Sequence, residues 1–182
     1  YVVPAKTGRI VRLRQNSDSR TRDLRFLPGT KDVLYLSDRS GEMEFWREPA
    51  DGLGEPVAVT SGGTTMRHDG VPSPDGKFLA HTDRNQVLWM RELSSGNEWE
   101  VARSMEGNEW DYIDLTWSPD GRWIAYVDTM ENQAKRIFLY DAKQRNAPVA
   151  VTTSRLDSYS PAFGPDGKWL YFLSDRTFRS VQ

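Results

Sequence analysis

Apolar and polar residues alternate along this chain in short runs with a period of two, and no 12-residue window carries a helical period. The stretch "DLTWSPDGRWIAYVD", residues 114–128, shows the pattern. Leu115 and Trp117 precede a Ser-Pro-Asp-Gly cluster; Ile124, Tyr126 and Val127 follow it. Two strands joined by a tight turn are predicted. Pro suits the second position of a type I turn and Gly the fourth, which Ser118-Pro119-Asp120-Gly121 satisfies. Asp120 tolerates the bridge region, and Gly121 can take a positive φ.

The device recurs. "SPDGKFLAHTDR" begins at Ser73, "GPDGKWLYFLSDR" at Gly164, and a weaker copy, "LPGTKDVLYLSDR", at Leu27. In the weaker copy Gly follows Pro directly, which suits a type II turn. Pro28, Pro74, Pro119 and Pro165 are spaced by 46, 45 and 46 residues. A single Pro-Asp-Gly is common; three in register with a degenerate fourth define an internal repeat. Further strands follow each turn in the same register: "MEFWREP" (43–49), "QVLWMREL" (86–93) and "RIFLYDA" (136–142). Next come "PVAVT" (56–60), "EWEVAR" (98–103) and "PVAVT" (148–152). The stretch "DTMENQAKR" (128–136) is the one loop that would tolerate a helix.

Four short antiparallel strands per repeat of about 45 residues predict an all-β chain built as β-propeller blades. Seven Trp, seven Tyr and seven Phe are expected to fill the wedges between blades, among them Phe26, Trp117 and Phe163 before the turns and Phe78, Trp123 and Trp169 after them. Full blades are expected over 20–62, 63–107 and 108–154, with the last two strands of a blade in 1–19 and the first two in 155–182. The offset predicts an arc of a larger propeller, with a closed four-bladed ring as the alternative. The start without Met and the end at "SDRTFRSVQ" read as a piece of something longer.

Composition narrows the function. A length of 182 residues, 37% hydrophobic and 27% charged, suits a globular domain with a core. A net charge of -2 gives no bulk pull toward nucleic acid or membrane. No Cys is present, which removes disulfides, thiolate metal sites and cysteine nucleophiles and fits a reducing cytoplasm, with a periplasmic setting as the alternative. No apolar run approaches the roughly 20 residues of a membrane span, and no signal peptide is visible.

Candidate chemistry is sparse. His68 and His81 are the two histidines. His81 falls in the strand after a turn, where other copies carry Leu36 or Tyr35, Tyr126 and Phe172, and is expected to pack there. His68 lies six residues before Pro74, on the innermost strand of its blade, with Arg22, Ile113 and Tyr159 as counterparts. Asp23, Asp69 and Asp114 each fall five residues before their turn Pro, with Ser160 in the last copy. Innermost strands surround the central channel of a propeller, so Arg22, Asp23, His68, Asp69, Asp114 and Tyr159 are the candidate channel residues. The competing reading of the three Asp is local backbone hydrogen bonding. Asp38, Asp83, Asp128 and Asp175 end the strand after each turn and read as solvated or capping turn residues. No Gly-x-Ser-x-Gly elbow, metal-ligand cluster or phosphate-cradling loop is present, so neither catalytic residue nor cofactor is expected.

These repeats resemble the propellers of the Tol-Pal translocation system, of prolyl oligopeptidases and dipeptidyl peptidases, and of tricorn proteases. "TRDLRF", "IDLTWSPDGRWIAY", "RIFLYDAKQRNAPVAVTT" and "DSYSPAFGPDGKWLYFLSDR" together are most similar to the later blades of the second, seven-bladed propeller of the tricorn family. That resemblance implies a noncatalytic segment of a serine peptidase, guiding peptides to a site built by downstream domains. It implies peptide substrates and a homo-oligomeric parent. The alternatives are a protein-binding module of the Tol-Pal type or the lid propeller of a prolyl-oligopeptidase-like enzyme.

Overall fold

A computed structural model describes residues 1–3, 8, 10–13, 18–104 and 113–175. Fourteen strands and no helix are found among them. The first sheet runs β1 (Thr21–Phe26), β2 (Asp32–Ser37), β3 (Glu44–Pro49) and β4 (Val57–Ala58) in chain order. The second runs β5 (Arg67–Pro72), β6 (Phe78–Asp83), β7 (Val87–Glu92) and β8 (Glu98–Arg103). The third runs β9 (Ile113–Trp117), β10 (Trp123–Thr129), β11 (Lys135–Asp141) and β12 (Val149–Ala150). A last antiparallel pair joins β13 (Ser158–Phe163) to β14 (Leu170–Ser174). Each sheet is an antiparallel meander, the form of a propeller blade.

The chain divides into two compact units, one of residues 1–85 with 91–98, the other of 86–90 with 99–182. In the first unit Leu34, Leu36, Met43, Phe45 and Leu79 form one core cluster, and Leu13, Val33 and Tyr35 another. In the second, Ala125, Val127 and Ile137 pack with Leu139, Tyr159, Phe163 and Leu170. Val2 and Val11 form an isolated antiparallel bridge near the N-terminus, and Leu13 beyond it is 3% exposed.

The turns form as their residues dictate. The Gly76, Gly121 and Gly167 amides donate to the carbonyls of Ser73, Ser118 and Gly164, each at 2.9 Å. All three glycines have φ between 64° and 68°. Gly29, third in its turn, has φ 75°, as a type II turn requires. Ser73 and Ser118 do more than fill the first position. Their hydroxyls accept the amides of Phe78 and Trp123 at 2.9 Å and donate to Asp75 and Asp120. The repeated Thr has a matching role: Thr60 and Thr152 hydroxyls accept the amides of Phe45 and Ile137 at 2.8 and 3.0 Å. The side chain takes over the ladder there, so β4 and β12 are two residues long where five-residue strands were expected.

Three further expectations change. Residues 130–134 form a turn with Gln133 at φ 63°, so the helix-tolerant loop holds no helix. Asp128 does not end its strand in solvent; it lies inside β10, 9% exposed, opposite Arg136. Trp117 and Phe78 pack as expected, but Phe26 and Trp169 are 61% and 65% exposed.

Candidate functional site

The first strand of each sheet, β1, β5, β9 and β13, lies at a sheet edge and carries a bulge at the same place. Asp23 and Leu24 together face Tyr35; Asp69 and Gly70 face His81. Asp114 and Leu115 face Tyr126, and Ser160 and Pro161 face Phe172. The first residue of each bulge is left-handed, with φ 57°, 46°, 60° and 52° for Asp23, Asp69, Asp114 and Ser160. This conformation costs most L-residues roughly 1–2 kcal/mol, and Asp tolerates it because its short side chain bonds locally. The spacing of Asp five residues before the turn Pro is thus first a backbone requirement.

All four left-handed side chains are exposed. The Asp114 carboxylate also reaches the next blade in its unit, where Oδ2 accepts the Ser160 amide at 2.9 Å. Backbone hydrogen bonding therefore describes Asp114, but to the neighbouring blade 46 residues on rather than locally. Arg22, His68, Ile113 and Tyr159 sit in one register just before the bulges, opposite Leu36, Thr82, Val127 and Leu173. Arg22 Nε lies 3.9 Å from Asp23 Oδ2, and Nη2 lies 3.9 Å from Met66 Sδ. Tyr159 donates its hydroxyl to Asp175 Oδ1 at 3.0 Å, and that bond and the Asp175 charge push its phenol up. His68 is half-buried. In the first unit the fold places Arg22, Asp23, His68 and Asp69 on two first strands, and in the second Asp114 and Tyr159.

Opposite the first three bulges the residue is buried, Tyr35 at 2%, His81 at 0% and Tyr126 at 1% exposure, whereas Phe172 opposite the fourth is 42% exposed. Burial pushes the Tyr35 phenol up to about 12, with the Glu48 charge adding to it, and pushes Tyr126 up as well. His81 breaks this aromatic column and belongs to a cluster that pattern reading missed: Glu44, Arg67, His81, Arg91 and Glu98, all within the first unit. The available signal was an Arg-His pair in columns otherwise small or aromatic. Among the described residues no group of three or more His, Asp or Glu is placed to hold a metal ion. No helix of the described residues is long and apolar enough to cross a membrane.

Four-stranded antiparallel blades with a bulged first strand at the sheet edge define a β-propeller segment. The model of the second β-propeller domain of tricorn protease matches residues 1–182, and the chain belongs to that family. A tricorn-like protease C-terminal subunit of Sulfurisphaera tokodaii is 29% identical over 93% of this chain and 18% of its own length. Tricorn protease homolog 1 of Streptomyces coelicolor is 32% identical over 84% of this chain and 14% of its own. The crystal structure of the tricorn protease superposes with a TM-score of 0.73 at 24% identity, over 85% of this chain and 15% of that one. The chain thus spans under a fifth of the length of these relatives.

Proposed function

We propose that this segment is the wall of a peptide passage in a tricorn-like serine peptidase whose catalytic site lies in downstream domains. The observation that carries the reading is the repeated bulge on β1, β5, β9 and β13. It presents one exposed left-handed residue per blade, flanked by a residue of variable chemistry: Arg22, His68, Ile113 or Tyr159. A rigid frame with variable edge residues suits a surface that meets many peptides without cutting any. Family membership supplies the peptidase context. In this reading the substrates are peptides, the parent assembles with copies of itself, and it works in the cytoplasm.

Photo-crosslinking in the intact parent protease tests the proposal. A benzophenone amino acid at position 22, 68 or 159 should capture a bound peptide substrate. The same group at Val57 of β4 or Val149 of β12, both exposed on the opposite sheet edges, should not. Equal capture at both sets, or capture only at the outer strands, would refute the passage.

A further inference from the structure

Arg67 joins two sheets of the first unit. Its Nε lies 2.9 Å from Glu44 Oε2 on β3, and its Nη1 lies 3.3 Å from Glu98 Oε2 on β8. Glu44 is also tied to the link between the sheets, accepting the Gly63 amide at 2.7 Å. His81 Nε2 lies 3.0 Å from Glu98 Oε1 and 3.2 Å from Arg67 Nη1, and its Nδ1 lies 3.4 Å from the Thr82 carbonyl oxygen. Arg91 on β7 closes the group, Nη1 at 3.5 Å from Glu98 Oε1. Above the imidazole stands the Phe45 ring of β3, centroids 5.2 Å apart. Phe45 also fills the space a side chain at Gly70 would need, so β3 and β5 approach closely.

The charges balance only when His81 is neutral. Two arginines face two carboxylates, and a neutral imidazole donates Nε2–H to Glu98. A proton added to His81 places a third cation 3.2 Å from the Arg67 guanidinium. A proton added to Glu98 removes one of two anions. Either leaves an uncompensated positive charge where charge is costly, since the Arg67, Glu44 and His81 side chains are 10%, 3% and 0% exposed.

We propose that Arg67, Glu44, His81 and Glu98 form an acid-released clamp between the first and second blades. It is independent of the peptide-passage reading. Burial, with the Arg67 charge, holds the His81 imidazole below its ordinary range, so the opened form binds more protons as pH falls below about 6.5. Glu98 follows. Burial alone would raise it, but the hydrogen bond from neutral His81 and the Arg67 and Arg91 charges hold it at about 2. A depressed carboxyl contributes stability that is full above the ordinary value of 4.5 and is lost as pH falls from there toward 2. Both groups act with the same sign, weakening the clamp in acid.

Hydrogen exchange of the intact protein at pH 7 to 4, corrected for intrinsic rates, tests the clamp. Opening of β3 and β5 amides should rise by up to roughly tenfold per pH unit per proton below 6.5, while β10 and β11 amides stay unchanged. His81→Phe places an aromatic ring in a column that holds Tyr35, Tyr126 and Phe172 elsewhere, and it should abolish the dependence between pH 6.5 and 5. Glu98→Gln should remove the part below 4.5. Wild-type opening that does not change with pH, an equal change in β10 and β11, or an unaltered profile in His81→Phe would each overturn the proposal.

Discussion

In the second unit, β10 and β14 occupy the same place in their repeats. Each follows a Pro-Asp-Gly turn and pairs with a bulged first strand. Yet Ala125, Tyr126 and Val127 of β10 are at most 1% exposed, whereas Tyr171, Phe172 and Leu173 of β14 are 62%, 42% and 57% exposed. The difference lies in neighbours. β10 is flanked by β9 and β11; β14 pairs with β13 alone among the described residues. The stretch "WLYFL" (169–173) is apolar on both faces, the pattern of a strand buried on both sides rather than of an edge. Turn and bulge are thus local properties of the repeat, while burial of the second strand comes from the third strand and what packs on it.

The largest contrast should come from truncating the residue opposite the bulge. Tyr126→Ala should cost about 3–5 kcal/mol, as for a buried aromatic ring, and Phe172→Ala no more than about 1 kcal/mol. Urea midpoints of the two variants in the 182-residue chain taken by itself measure this, and equal losses would break the comparison. The turns should behave oppositely, because they are local. Gly121→Val and Gly167→Val both force a β-branched side chain to positive φ, and both should cost about 1–3 kcal/mol. A cost at Gly121 alone would show that the turn depends on the completed sheet. Smallest in stability is the exposed face itself. In the 182-residue chain taken by itself, Tyr171→Thr with Leu173→Thr should change the midpoint by about 0.5 kcal/mol or less while lowering self-association, read by sedimentation at several concentrations.

The sequence carried the repeat, its turns and its strand order legibly, because Pro, Asp and Gly answer to backbone needs that act over a few residues. It also carried the column of Asp23, Asp69 and Asp114, though not its cause. That cause is a left-handed φ, which two strands in register reveal and one strand's composition does not. The clamp was illegible for a different reason. Glu44, Arg67, His81, Arg91 and Glu98 come from five strands, and only their convergence turns scattered charges into a buried network. The exposure of Phe26 and Trp169 escaped notice because aromatic content reports what could be buried, not what covers it.

The central claim, that the first strands guide peptides without cutting them, is tested most directly by kinetics on the intact parent protease. Arg22→Ala, His68→Ala and Tyr159→Ala combined should lower kcat/KM several-fold for peptides of about 20 residues and leave a short chromogenic substrate unchanged, since an extended peptide of that length spans about 60 Å and meets the wall whereas a short one does not. An equal fall for both substrates, or no change for either, would contradict the account.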